Sequence, residues 1–158
     1  MVFFNLLKKA GLVDQVFYKL NFISPGEFYT VIVPSDSALQ SINTNALTTA
    51  ELAQLLKYHF IKGSLIFTDG SARSGNYETL RIDETSTLYN SKYSTLNIRP
   101  GIDKIDILDQ NDSILYSIKE SDNLTNLMTA VDIDNNPSTV NFVINAVVHK
   151  INTVLLKK

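Results

Sequence analysis

Hydrophobic periodicity changes along this chain. Apolar residues recur at helical spacing up to about His59, and from Phe60 onward they alternate or run in short blocks, as strands do. Phe3, Leu6, Leu7, Ala10, Val13, Val16, Phe17 and Leu20 share one helical stripe. Gly11 interrupts it, so the spacing predicts a helix ending near Ala10 and a second starting near Leu12. Ser24-Pro25-Gly26 reads as a turn, and Phe28 to Val33, aromatic and β-branched, as a buried strand. Pro34 stops that strand, and Ser35 and Asp36 are N-cap candidates for a short helix carrying Ala38, Leu39 and Ile42. Thr48-Thr49-Ala50-Glu51 is a capping box, and the helix it opens puts Leu52, Leu55, Leu56 and His59 on one face. Strands are expected at Ser94 to Ile98, Lys104 to Leu108 and Ile114 to Ile118, with Pro100-Gly101 and Gln110 to Ser113 as breaks. The polar stretch 120–140 reads as a long loop, and Phe142 to Ile144 and Val147 to Leu156 carry the last strand signals. Helices first and strands later make an α+β domain.

With 158 residues the chain is expected to form a single domain, and hydrophobic residues at 44% supply its core without a disulfide or metal staple. Cysteine is absent, which removes thiol catalysis and thiolate metal sites, and two histidines are too few for a multi-histidine centre. A net charge of −2 without a basic stripe argues against a nucleic-acid partner. No apolar run approaches the roughly 20 residues of a membrane-spanning helix. The start, MVFFNLLKKAGL, has no basic region followed by an apolar core and cleavage site, so the chain is expected to be cytosolic or to begin after an export signal or upstream domain.

Three segments, taken in order, resemble the fasciclin domain family. Tyr29 to Leu39 (YTVIVPSDSAL) is similar to its first signature of strand, proline, polar capping pair and short helix. Leu55 to Gly63 (LLKYHFIKG) is similar to its central helix ending in a Tyr-His pair, and Asn145 to Leu156 (NAVVHKINTVLL) to its closing strand. Ala146 stands where the family usually has glycine, Asn152 where aspartate is frequent, and Leu39 where phenylalanine is frequent. The alanine is accommodated only at negative φ. The resemblance implies a wedge-shaped β-sandwich with an N-terminal helical cap, without catalysis and without a cofactor. It further implies a cell-surface or periplasmic adhesion module that meets an extracellular or cell-envelope protein or polysaccharide. The missing family lead-in implies excision from a longer, tandem protein that carries its export signal or membrane anchor upstream. The absent cysteines and asparagine-rich loops lean towards a bacterial source, such as a lipoprotein.

Tyr58 and His59 are the binding candidates, because in animal members of the family a Tyr-His pair here is linked to integrin binding. The residues themselves favour a different role for His59, a hydrogen-bonded histidine ending an amphipathic helix. His149 shares a strand face with Val147 and Ile151, which suits an internal hydrogen-bonding element better than a metal ligand. Asp132 to Pro137 begins like a calcium loop but has proline where glycine makes the sharp turn, and Val143 where the bidentate glutamate belongs. Asp103, Asp106, Asp109 and Asp112 are expected to form a solvent-facing acidic edge. GxSxG, SxxK, GxGxxG and P-loop motifs do not occur. Asn111 and Asn123 begin N-x-S/T sequons. An alternative is a ligand module for a glycan or small apolar molecule in a crevice between helical cap and sheets, for which exposed Tyr77, Tyr89 and Tyr93 would speak.

Overall fold

The computed structural model describes residues 2–16, 19–24, 26–83, 92–132 and 142–156. The first helix, α1 (Val2–Lys9), buries Phe3, Leu6 and Leu7, and Ala10 follows on the same face. Gly11 at φ +69° ends it: the Gly11 N–H reaches the Lys8 carbonyl at 3.0 Å and the Leu12 N–H the Leu7 carbonyl at 2.9 Å. That pair of bonds is a Schellman motif, with glycine in the left-handed position where a Cβ is costly. Among the described residues the second helix expected after it does not form. Val13 instead bridges Leu20 antiparallel, Asp14 takes the Val16 N–H on its carboxylate, and Val16 is 75% exposed. The apolar spacing from Val13 to Leu20 matches a helix, but the cap at Gly11 turns residues 12–16 away from helical geometry. Phe17, Tyr18 and Pro25 lie outside the described residues.

Next come β1 (Tyr29–Pro34), α2 (Asp36–Gln40), a single turn of 3-10 helix at Thr44–Ala46, and α3 (Thr49–Lys57). Ser35 caps α2 by accepting from the Ala38 N–H at 3.2 Å. The capping box on α3 is complete: the Thr48 hydroxyl accepts from the Glu51 N–H, and the Glu51 carboxylate accepts from the Thr48 N–H at 2.8 Å. Then follow β2 (Phe60–Lys62), β3 (Gly75–Ile82), β4 (Tyr93–Gly101), β5 (Lys104–Leu108), β6 (Ile114–Lys119), β7 (Leu127–Asp132) and β8 (Phe142–Ile151). The eight strands run in the order β6-β5-β4-β3-β2-β1-β8-β7, with β1 and β8 parallel and the remaining neighbours antiparallel.

Two cores divide the interior, and β1 and β2 are buried between them. Tyr29 and Phe60 face Phe3, Leu7, Leu52 and Leu56 beneath the helices. Ile32 and Ile61 face the other way and meet Ile98, Ile105, Ile107, Ile118 and Ile151. Residues from strands at opposite ends of the sheet thus share one core, so the sheet folds over itself as the expected sandwich under a helical cap.

Two strand expectations need correction. The stretch read as a long loop contains β7, an edge strand whose Leu127 and Met128 remain exposed. The two terminal strand signals are one strand, β8, with a register shift opposite Thr129 and Ala130; residues 152–156 continue outside it. Ala146 is not among the residues with positive φ, so alanine sits there without strain.

Candidate functional site

The capping box and apolar face of α3 dock its C-terminal end against the sheet, which brings Tyr58 and His59 to the junction of the two cores. His59 is wholly buried, and its ring meets Phe3 of α1 edge-on at 6.1 Å. The Leu155 N–H donates to Nε2 at 3.0 Å, so that nitrogen is the acceptor. The proton therefore sits on Nδ1, which donates to the Leu55 carbonyl at 3.0 Å. Burial pushes the His59 pKa down to about 4, against the opposing pull of the Leu55 hydrogen bond.

His149 is also wholly buried and carries the opposite tautomer. The Asn126 N–H donates to Nδ1 at 3.3 Å, so Nε2–H donates to the Ile66 carbonyl at 2.8 Å. Burial lowers its pKa too, with the Ile66 bond and the Glu120 charge acting the other way. Val147, His149 and Ile151 share the inward face, as their alternation implies. All four imidazole nitrogens are engaged by backbone groups, which leaves neither ring a lone pair for a metal. Among the described residues no group of three or more His, Cys, Asp or Glu could hold one. Residues 133–137 of the calcium-like stretch lie outside the described residues.

Tyr58 is 7% exposed; its hydroxyl donates to the Thr95 carbonyl at 3.4 Å and the Arg81 guanidinium lies 5.6 Å over its ring. Burial raises its pKa, which the Arg81 charge partly offsets. Tyr58 also lines an open cleft of about 1200 Å³. The other walls are Asn76 and Glu78 of β3 with Asp83, β4 from Tyr93 to Asn97, the end of β5 with its turn into β6, Leu115 and Tyr116, and the segment Thr153 to Leu156. Leu155 is the residue that His59 holds, so the histidine secures one wall of the cleft while its neighbour Tyr58 forms part of another.

The turn after β5 is held by its own side chains. Asp109 accepts the Asn111 and Ser113 N–H groups at 2.8 and 2.9 Å, Asp112 takes φ +59°, and the Asn97 amide donates to the Asp112 carboxylate at 3.0 Å. The acidic series is therefore not a sheet edge, although Asp103 and Asp112 are exposed as expected. Asp103 and Asp112 sit in turns at positive φ, Asp109 organises a turn, and Asp106 is buried in β5, an interior strand. Burial would raise the Asp106 pKa, but hydrogen bonds from Ser117 and Lys104, the Lys104 charge and Arg99 hold it below the usual carboxylate value.

The space between helices and sheet is filled by Phe3, Leu6, Leu7, Leu39, Leu52 and Leu56, so the expected crevice there is replaced by the cleft at β4 and by a shallow depression of about 490 Å³ beside α2. Tyr93 is half-buried on the cleft, with Lys62 and Lys92 over its ring at 4.9 and 5.6 Å. Tyr77 is half-buried against the sandwich core and donates to the Arg73 carbonyl; Tyr89 lies outside the described residues. No motif marks Ser94 or Asn97 as cleft residues, while Asp112 was legible only as part of the acidic series and residues 153–156 only as a continuation of the closing strand.

The chain is thus a helix-capped β-sandwich in which both histidines are engaged by backbone groups. The chain belongs to the fasciclin domain family: the family model for the fasciclin domain matches residues 1–157. Fasciclin domains are in general non-catalytic modules of adhesion and protein interaction, and they occur in extracellular or surface proteins. No helix among the described residues is long and apolar enough to cross a membrane. A search among curated proteins found no match.

Proposed function

We propose that this domain is a non-catalytic adhesion module, displayed at the cell surface or in the periplasm as one unit of a longer, tandem bacterial protein such as a lipoprotein. Its partner is an extracellular or cell-envelope protein or polysaccharide, met by surface complementarity without a cofactor. The observation that carries this reading is the junction at α3. Tyr58 reaches the cleft while His59, one residue on, holds Leu155 in the cleft wall. In this reading Tyr58 is the contact residue of the pair and His59 a positioning residue, since a wholly buried ring touches no partner. A single copy binds weakly, and tandem copies or dense display supply avidity.

The test is to pass the folded domain over immobilised matrix proteins and polysaccharides, with a heat-unfolded sample as control. The expected result is saturable binding by the folded form alone, at about micromolar strength (~8 kcal/mol), reduced by Tyr58→Ala. Equal binding by the unfolded control, or flat responses from tandem copies across the panel, contradicts it.

A further inference from the structure

His149 does not line the cleft, yet it belongs to a polar cluster that fastens the edge strand β7. The Asn126 N–H donates to its Nδ1 at 3.3 Å, from a residue held at φ +55° directly before β7. The Asn126 side chain reaches the other way. Its carbonyl accepts the Thr68 N–H at 3.2 Å, and its amide donates to the Thr68 hydroxyl and, at 3.0 Å, to the Glu120 carboxylate. The Thr68 hydroxyl donates to the same carboxylate. Thr68 and Glu120 are anchored without β7: Asp103, in the β4–β5 turn, donates its N–H to the Thr68 carbonyl at 2.7 Å and accepts the Glu120 N–H at 3.0 Å. Asn126 thus links a fixed cluster to the end of a strand.

That strand end is lightly held. Among the described residues β7 pairs with β8 alone, and a register shift between Thr129 and Ala130 separates its first three residues, opposite Val148, Val147 and Ala146, from the rest. Leu127 and Met128 remain exposed, so little apolar burial opposes their leaving. The nitrogen that receives Asn126 accepts only while the ring is neutral. A proton on Nδ1 sets N–H against N–H, and Nε2 already donates to the Ile66 carbonyl at 2.8 Å. Burial lowers the His149 pKa, and the Ile66 bond and the Glu120 charge act the other way. Beside the ring β1 places Val31, Ile32 and Val33, which carry no charge. The charged residues on the other elements around it are Asp69 in the loop after β2, Asp103, Lys119 and Glu120 at the end of β6, Asp122, and Lys150 on β8 itself. Of these, Glu120 is the one whose charge acts on the ring.

We propose that His149, Asn126 and Glu120 form an acid-released latch on the first half of β7. With the ring neutral, Nδ1 holds the Asn126 N–H and the latch is closed. A proton taken from solvent turns Nδ1 into a donor. The Asn126 N–H is then expelled, and the Glu120 carboxylate, fixed by Thr68, takes its place as the acceptor. Residues 126–129 leave β8 as far as the register shift and bare a row of unpaired backbone groups from Ala146 to Val148. The open form binds the proton more readily than the closed one. The latch is therefore complete above the ordinary histidine value of roughly 6.5 and is lost as the pH falls through the value of the folded state. His59 lacks this outlet, because its accepting nitrogen holds Leu155, a buried residue of the core. The latch goes beyond the adhesion reading and stands or falls independently of it.

The experiment is amide and imidazole NMR of the isotope-labelled whole chain from pH 7 down to 4.5, above the value of about 4 at which His59 titrates. Backbone order parameters at residues 124–129 are expected to fall from roughly 0.85 to below about 0.6. The midpoint of that fall is expected to match the His149 ring titration, while β4 and β5 keep their order. Glu120→Gln keeps an acceptor for Thr68 and Asn126 but removes the charge, and is expected to move both midpoints down by at least about half a pH unit. His149→Gln, whose amide can accept from Asn126 and donate to Ile66, is expected to keep residues 124–129 ordered at pH 4.5. Because Glu120 is exposed, the Glu120→Gln arm stands even where His149→Gln does not fold. A ring still neutral at pH 4.5, order kept at 124–129 after the ring has titrated, or a loss shared equally by β4 and β5 overturns the inference. So do midpoints unmoved by Glu120→Gln, or order lost at pH 4.5 in a folded His149→Gln.

Discussion

At His59 and His149 a wholly buried imidazole meets one backbone donor and one backbone acceptor, and the order of the two fixes opposite tautomers. Protonating either ring would set N–H against N–H. An unfolded histidine titrates near pH 6.5, whereas folded His59 titrates at about 4. Between those values the unfolded chain binds more protons, so stability is complete above roughly pH 6.5 and is lost as the pH falls towards 4. For His59 that loss is about 3 kcal/mol. The depressed pKa of His149 acts in the same direction, and Asp106, also depressed, adds a separate loss only below its ordinary carboxylate range. Urea unfolding at pH 7, 5.5 and 4 measures this, and a flat profile from 7 to 4.5 contradicts it. Ser94 behaves differently. Because its hydroxyl has no partner among the described residues, Ser94→Ala is expected to leave stability unchanged or raise it by up to about 1 kcal/mol. A loss larger than that would mean that the hydroxyl is bonded within the protein.

The elements hold together through a few local decisions. Thr30, buried in β1, donates to the Ser64 carbonyl at 2.8 Å and accepts the Ile66 N–H at 2.9 Å, which ties the loop after β2 to the sheet. Thr30→Val keeps the shape but strands both groups, so it is expected to cost about 2 kcal/mol in chemical denaturation. Gly11→Ala meets no atom within 4 Å yet must hold φ +69°, so its cost is conformational, about 1 kcal/mol. Unchanged stability in that variant would mean the chain leaves α1 by another route. Gly11, Pro34 and the capping box could be read from the sequence, because each acts over three or four residues, whereas the Thr30 tie joins groups 34 and 36 residues apart and could not. The errors have the same origin. Val13 to Leu20 imitates a helical stripe, but the Gly11 cap and the Asp14–Val16 bond take residues 12–16 out of helical geometry. β7 was hidden because an edge strand keeps Leu127 and Met128 in solvent and so shows no alternation of buried and polar residues.

Across the whole molecule, the order of helices and strands was legible, and so was a family pattern reaching from α1 to β8. The cleft was not. It arises where Thr153 to Leu156, a segment outside any strand, passes β4 and the turn after β5, and no local pattern encodes that meeting of distant segments. The Tyr-His pair was visible as sequence, but its division of labour, Tyr58 on the cleft and His59 in the core behind its wall, depends on the bond to Leu155, far along the chain. That division is tested most directly by thermal unfolding of His59→Ala beside the wild type at pH 7 and pH 4. At pH 7 the variant loses two buried hydrogen bonds and gains a cavity, worth about 3 kcal/mol, or roughly 6–12 °C in a chain of this size. At pH 4 the gap is expected to narrow, because the wild type then bears the cost of its own buried histidine. A melting temperature within a degree or two of wild type at pH 7 would contradict the account and return His59 to the surface as a partner-contacting residue.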